Sequence, residues 1–230
     1  MAAGSGARLG RDEPKAFVPL GGRPLLAHSL AAVGGCGSAE ALVVVVVPGR
    51  EAEAAALVLD VLPGWSQDAL TVVPGGATRQ ESVRLGLEAV DADVVLCHDA
   101  ARPFATPALF ARVVAALRDD AEAAGVVPAV PAVDTVKRVR GGRIVETLPR
   151  AAIVLAQTPQ GFRTAALRDA HERALREGLE ATDDAMLLEA AGYAVTVVPG
   201  EDENFKVTTA EDLARAERVA AERAAEEAPS

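Results

Sequence analysis

Residues 41–47 (ALVVVVV) constrain the fold more than any other stretch. A β-branched run without polar alternation fits a strand covered on both faces, as in parallel sheets sandwiched between helices. Pro48 and Gly49 close it, and it is far too short to cross a bilayer. The segments after it alternate in period. Residues 50–62 read as a helix, 70–73 as a strand, 79–90 as a helix and 93–97 as a second buried strand. Thr106 and Pro107 supply a cap and first position for a helix over 108–121, and 125–130 reads as a strand. Helical spacing returns at 164–177 and 183–191, a strand at 193–198, and a helix at 209–227 opened by Thr208 and Glu211.

Residues 133–157 break this rhythm. Short alternating runs at 135–139, 143–147 and 153–157 surround Gly141 and Gly142, as in an antiparallel hairpin or arm. No internal repeat or interdomain linker interrupts the chain. The expectation is one α/β layered domain over 1–219 with a mostly parallel sheet and an arm at about 133–157. Residues 220–230 would be a helix end and tail. Ligands in such folds gather beyond the carboxyl ends of the strands.

Composition narrows the function. The formal net charge of −10 argues against nucleic acid and anionic membrane surfaces as partners. Two cysteines, Cys36 and Cys97, suggest buried thiols rather than a disulfide scaffold. The Gly-rich start lacks the apolar segment of a secretory signal, so a cytoplasmic protein is expected. Of 23 basic residues only Lys15, Lys137 and Lys206 are lysine. In a chain so biased to arginine, a remaining lysine favours sites needing a slender ammonium.

Four groups of residues carry chemistry. Residues 2–10 (AAGSGARLG), with Pro14 and Lys15, form a Gly-rich loop whose N–H groups can turn toward a polyphosphate, with Arg8 and Lys15 adding charge. It is neither a Walker A loop nor a GxGxxG fingerprint. Residues 98–103 (HDAARP) follow a strand, where Asp99 either holds Mg²⁺ on a nucleotide phosphate or caps the turn. No His/Cys/Glu cluster supports zinc, and His98 reads as structural. Gly75, Gly76, Arg79 and Ser82 make a strand-to-helix turn with room for a base or phosphate. The later half offers Asp134, Thr135, Lys137, Arg150, Thr158, Thr182, Asp183 and residues 203–206 (ENFK) as anion binders or as solvated surface groups.

The ensemble AAGSGARLG…PK, GGATRQESVRLGL, HDAARP, DTVK, QTPQ, TDD and ENFKVT, in this order over about 1–219, resembles the 2-C-methyl-D-erythritol 4-phosphate cytidylyltransferase family. The ribitol-5-phosphate cytidylyltransferases share similar motifs and are the alternative. The resemblance implies a Rossmann-like nucleotidyltransferase, of the nucleotide-diphospho-sugar transferase type, homodimeric through its β-arm. It would be a Mg²⁺-dependent enzyme of non-mevalonate isoprenoid synthesis, transferring CMP from CTP to the sugar-alcohol phosphate. By the same resemblance Ala2, Ala3, Gly4 and Gly6 wrap the CTP phosphates, and Arg8, Lys15 and Lys206 are catalytic. Gly76, Arg79 and Ser82 line the cytosine pocket, and Asp99 holds the metal with Ala100 and Arg102 shaping the site. Thr135 and Arg150 serve the neighbouring subunit's acceptor, with Arg102, Thr158, Thr182 and Asp183 as further substrate-binding residues.

Two departures stand out. In the family an apolar strand precedes the Gly-rich loop and ends in Pro-Ala-Ala-Gly, whereas here Met1 stands in place of that proline. A chain shorter than its natural form, or one of poor stability, is the expectation. Glu203 stands where the family has Asp. A nucleotide-binding protein without turnover is a further alternative, disfavoured by Arg8, Lys15, Asp99 and Lys206 occurring together. Little chain follows the last helix, so a second fused activity is not expected.

Overall fold

The structure, a computed structural model, describes residues 1–6, 9–10, 13–37 and 39–227. A small hairpin, β1 (Pro19–Leu20) and β2 (Arg23–Pro24), leads into α1 (Leu25–Gly35). Then come β3 (Leu42–Val46), α2 (Glu51–Val61), β4 (Leu70–Pro74), α3 (Arg79–Glu88) and β5 (Val94–Cys97). Helix α4 (Pro107–Asp119) and β6 (Gly125–Pro131) precede the hairpin β7 (Lys137–Arg140) and β8 (Arg143–Thr147). Strands β9 (Val154–Ala156) and β10 (Gln160–Arg163) are followed by α5 (Thr164–Glu177), α6 (Asp184–Ala190), β11 (Val195–Pro199) and α7 (Ala210–Glu227).

The α/β architecture agrees with the sequence, but the sheet is mixed rather than mostly parallel. Strands β3 and β4 pair in parallel, as do β11 and β6. Strand β10, only four residues long and unmarked by periodicity, inserts antiparallel between β5 and β6. Strand β9 also pairs antiparallel with β6, at the root of the arm. Gly161 is required in β10, because a Cβ there would lie 2.6 Å from Val113 Cγ1 of α4.

Helices cover both faces. On one side Leu26, Leu30, Ala54 and Val58 of α1 and α2 pack on Val44 and Val46 of β3. On the other, Val83 and Leu87 of α3 join Leu167, Ala170 and Ala174 of α5 and Leu187 and Leu188 of α6 around Phe162. Val45 faces α3 so closely that a Cβ at Gly86 would sit 2.9 Å from Val45 Cγ2. The valine run is therefore covered on both sides, as its composition requires. Thr106 Oγ1 accepts from the Leu109 N–H at 3.1 Å, with Pro107 at the first turn, as the cap reading expects. The cap of α7 lies one residue later than expected. Thr209 Oγ1 accepts from Asp212 N–H, and Asp212 Oδ2 accepts from the N–H groups of Thr208 and Thr209.

Between β3 and β5 the sheet is bridged by Met1 and Ala2. Ala2 forms a parallel bridge with Val46 and donates its N–H to Val45 O at 2.7 Å. Ala100 N–H donates to Met1 O at 2.9 Å, and the Met1 amino group donates to His98 O at 2.6 Å. Alongside these two residues β3 and β5 border a groove of about 630 Å³, walled by Leu30, Val43, Val45, Val83, Val95 and Phe110 among others. No described residue lies between the two strands there, so their facing backbone groups have no ladder partner among the described residues.

The hairpin β7–β8 stands out from the body, every residue of both strands exposed. Val139, Ile144 and Val145 on it, and Val133, Val154 and Leu155 at its base, are apolar and exposed.

Candidate active site

The carboxyl ends of β4 and β5 and the loop of residues 1–6 enclose a cleft of about 450 Å³. Ala2, Ala3, Gly4, Gly6, Lys15, Gly76, Arg79, Ser82, Asp99, Ala100 and Lys206 all line it. Residues far apart in sequence thus meet on one wall, as expected for an α/β fold. Gly6 needs its left-handed backbone (φ +77°), and a Cβ there would lie 3.0 Å from Glu13 O. The Lys15 N–H donates to Gly4 O at 3.1 Å, closing the loop on itself.

Asp99 is the electrostatic centre. Its Oδ2 lies 2.6 Å from Lys206 Nζ and its Oδ1 3.2 Å from Arg79 Nε. Burial alone would raise its pKa, but the charges of Arg79 and Lys206 outweigh that and hold the carboxyl well below the usual carboxylate range. The Asp99 N–H donates to Thr158 Oγ1 at 3.0 Å, so β10's preceding loop sets the height of the β5 loop. Burial also lowers Arg79, yet Asp184 and Asp99 together raise it above its ordinary value.

The loop over α3 is built from its own side chains. Ser82 hydroxyl donates to Thr78 O at 2.8 Å and accepts from Gly76 N–H at 3.0 Å. Ser82 is therefore occupied in shaping the turn, and the Gly76 N–H with it, which narrows the direct contacts either can make. Glu81 accepts from Ala77 N–H at 2.7 Å, and a Cβ on Gly76 would lie 2.3 Å from Glu81 Cγ.

His98 is buried against Phe110, the ring centroids 5.1 Å apart, with Nδ1 3.0 Å from Thr158 Oγ1. Burial, helped by the nearby Met1 amino group, pulls its pKa down to about 3.

Comparisons with known proteins give the family. The family described as IspD, 2-C-methyl-D-erythritol 4-phosphate cytidylyltransferase, matches residues 1–222. The chain belongs to this family.

Among IspD-family relatives, a protein of Cereibacter sphaeroides (strain KD131) named 2-C-methyl-D-erythritol 4-phosphate cytidylyltransferase is 45% identical over 224 residues, covering 96% of this chain and 95% of that one. A bifunctional enzyme IspD/IspF of Clavibacter michiganensis subsp. michiganensis is 50% identical over 224 residues, 96% of this chain. That alignment takes in 53% of the bifunctional protein, so the chain spans about half the length of such relatives. The crystal structure of 2-C-methyl-D-erythritol 4-phosphate cytidylyltransferase from Thermus thermophilus superposes with a TM-score of 0.77 at 41% identity, covering 96% of both chains. The fold is accordingly that of the IspD nucleotidyltransferases.

The other residues expected from the IspD resemblance lie elsewhere. Arg8 falls outside the described residues. Thr135 and Arg150 belong to the exposed arm and do not line the cleft; Arg150 donates to Val133 O at 2.6 Å. Thr182 lies beside Met186, and Asp183 caps α6 through Met186 N–H while accepting from Gln160 Nε2. Thr158 is buried beneath Asp99 rather than facing the cleft. Arg102 is used internally, donating to Asn204 O and Ala156 O. Glu203 pairs with Arg223 at 2.7 Å, away from the cleft.

Two residues inside the ENFK and TDD motifs prove to be buried supports rather than anion binders or solvated surface groups. Asn204, fully buried, donates to Gln157 Oε1 and Thr158 O and so fixes the turn that delivers Lys206. Asp184, also fully buried, holds Arg79 at 2.9 Å. The TDD motif drew attention to the cap at Asp183, which has a local signature; Asp184's role is visible only in three dimensions.

Proposed function

We propose that this chain transfers CMP from CTP to the 4-phosphate of 2-C-methyl-D-erythritol, releasing pyrophosphate. The carrying observation is the Lys206–Asp99–Arg79 ion-pair chain on the wall of a Gly-lined cleft, in a chain matched over 1–222 by the IspD family. An oxygen of the acceptor phosphate forms the new bond to the α-phosphorus. The bond from that phosphorus to the bridging oxygen breaks, and its electron pair leaves with pyrophosphate. The acceptor phosphate is already ionised, so no general base is required. The task is to bring two anions together and to neutralise charge on the leaving group.

The residues fit that task. Residues 4–6 would cradle the triphosphate, and Lys15 and Lys206 would stabilise charge on the α-phosphate and pyrophosphate; Arg8 is proposed to join them. Ala2, Ala3, Ala100, Gly76 and Ser82 would shape the nucleotide pocket. Mg²⁺ also fits. Asp99 is the acidic side chain among the described residues that line the cleft, beside the Gly-rich loop and Lys15. Asp99 would hold the cation, with nucleotide phosphates and water completing its shell. Bound there, it supplies charge neutralisation on the phosphates.

Thr135 and Arg150 are proposed to reach the acceptor site of a second copy, making the enzyme a homodimer. Their position on an exposed arm rich in apolar residues supports this reading. Arg102, Thr158, Thr182 and Asp183 would support the acceptor side indirectly. A cytoplasmic enzyme with no nucleic-acid or membrane partner is proposed as well; among the described residues no helix is long and apolar enough to cross a membrane.

The test is pyrophosphate release from CTP and Mg²⁺ with methylerythritol 4-phosphate or ribitol 5-phosphate. Release with the former supports the proposal. Release with ribitol 5-phosphate alone moves the chain to pentitol phosphates, and silence with both rejects the activity.

A further inference from the structure

Arg79, at the first turn of α3, reaches two carboxylates at once. Its Nε lies 3.2 Å from Asp99 Oδ1 on the cleft wall, and an Nη lies 2.9 Å from Asp184 Oδ2 behind it. Asp184 is 0% exposed, and its Oδ1 lies 3.3 Å from Nε2 of His171, itself 2% exposed. Neither Asp184 oxygen has an aligned hydrogen bond among the described residues, so its charge is balanced by the Arg79 guanidinium, with the His171 ring alongside. A buried carboxylate held this way is costly to fold around. It is also immobile. Asp184 sits on α6, pinned by the Asp183 cap and by buried Leu187 and Leu188, and His171 sits on α5 with the same core.

We infer that Asp184 and His171 are positioning residues that act on Asp99 through Arg79. The inference rests on the reading of Asp99 as the cation-holding carboxylate. With Asp184 in place, Arg79 is shared between two anions, one on the cleft wall and one behind it. Asp99 then keeps a fixed orientation without owning the whole guanidinium charge. Without the Asp184 charge, Arg79 would have Asp99 as its one acidic partner and would compete with a divalent cation for it. Groups that orient a metal-holding side chain typically change metal affinity about 10- to 100-fold when lost.

The experiment is Mn²⁺ binding in the presence of CTP, followed by electron paramagnetic resonance, on the full chain and on Asp184→Asn. The variant should weaken Mn²⁺ about tenfold. It should raise the Mn²⁺ concentration for half-maximal pyrophosphate release by the same factor, leaving the acceptor KM unchanged. In an Arg79→Gln background the Asp184→Asn change should add little, because its effect runs through Arg79. A folded Asp184→Asn protein with unaltered Mn²⁺ affinity overturns the inference. So does a loss that adds in full to that of Arg79→Gln. If Asp184→Asn does not fold, His171→Gln decides: weaker Mn²⁺ binding supports the inference, and unchanged binding overturns it. Absence of CTP-dependent Mn²⁺ binding in the wild-type chain instead rejects the cation reading of Asp99.

Discussion

Lys206 Nζ and Asp99 Oδ2 lie 2.6 Å apart, although 107 positions separate the two residues in sequence. The contact joins the loop after β5 to the turn before α7 across the mouth of the cleft. Lys206 keeps 39% of its side chain exposed while Asp99 keeps 10%, so the lysine is the partner with room to move. That asymmetry suits an ammonium that turns from a carboxylate to a phosphate.

Replacing Lys206 with alanine should lower kcat by about 10²-fold, the usual scale for removing one preorganised charge-stabilising donor. The melting temperature should fall only modestly, because Arg79 remains beside the buried Asp99 carboxylate when the part-exposed lysine is lost. Pyrophosphate release under saturating CTP measures it; a near-normal rate removes Lys206 from the chemistry.

Gly6→Ala should weaken CTP binding more than it alters the fold. The left-handed backbone at φ +77° and the approach to Glu13 O leave no unstrained place for a methyl group. The expected cost is about 1–2 kcal/mol, roughly a tenfold rise in the KM for CTP. An unchanged KM would mean that the loop does not contact the nucleotide.

Asn204→Ala should both destabilise and slow the enzyme. It leaves Gln157 Oε1 and Thr158 O without the Asn204 amide, a loss of about 1–3 kcal/mol. Lys206 follows two residues later, so kcat should fall alongside the urea midpoint. A drop in stability with full activity would separate the two.

Stability should decline as the solution is acidified from about pH 6.5. His98 titrates near 6.5 when unfolded but is pulled down to about 3 in the fold. Between those values the unfolded chain binds a proton that the folded one refuses, so unfolding is favoured progressively as pH falls. Each pH unit crossed in that window removes about 1.4 kcal/mol. Asp99, held below its ordinary value, adds a second decline in the same direction, confined to below about pH 4. Urea midpoints across this range test it; a flat profile between about pH 6.5 and pH 4 rejects the assignment to His98.

Attaching five or six β-branched residues ahead of Met1 should raise the melting temperature by several degrees. They would meet the unladdered edges of β3 and β5 and the apolar walls of the groove. An extension of glycine and serine of equal length is the control; equal melting temperatures would show that the groove does not take a strand.

Legibility in the sequence followed how local each cause was. The valine run and the Thr106–Pro107 cap depend on neighbouring residues, and each was readable. Helix α1 was not. Leu25, Leu26, Ala27, Ser29, Leu30 and Ala32 are all buried, which erases the polar face that would reveal its period. Strand β10 was hidden by its brevity, and with it the mixed sheet. In the site, Lys15 and Lys206 were conspicuous through the scarcity of lysine, and Asp99 through its place after a strand. Asn204 and Asp184 lie within the ENFK and TDD motifs, but their supporting role was not legible, because burial against distant loops defines it.

The antiparallel course of β9 and β10 has a mechanical consequence. Val154–Ala156 closes the arm, and two residues later Thr158 holds the Asp99 N–H. Arg102, from the loop after Asp99, grips Ala156 O at the same root. The root of the arm is therefore tied to the Asp99 loop by two hydrogen bonds, so the protruding hairpin and the charged cleft share one anchoring point.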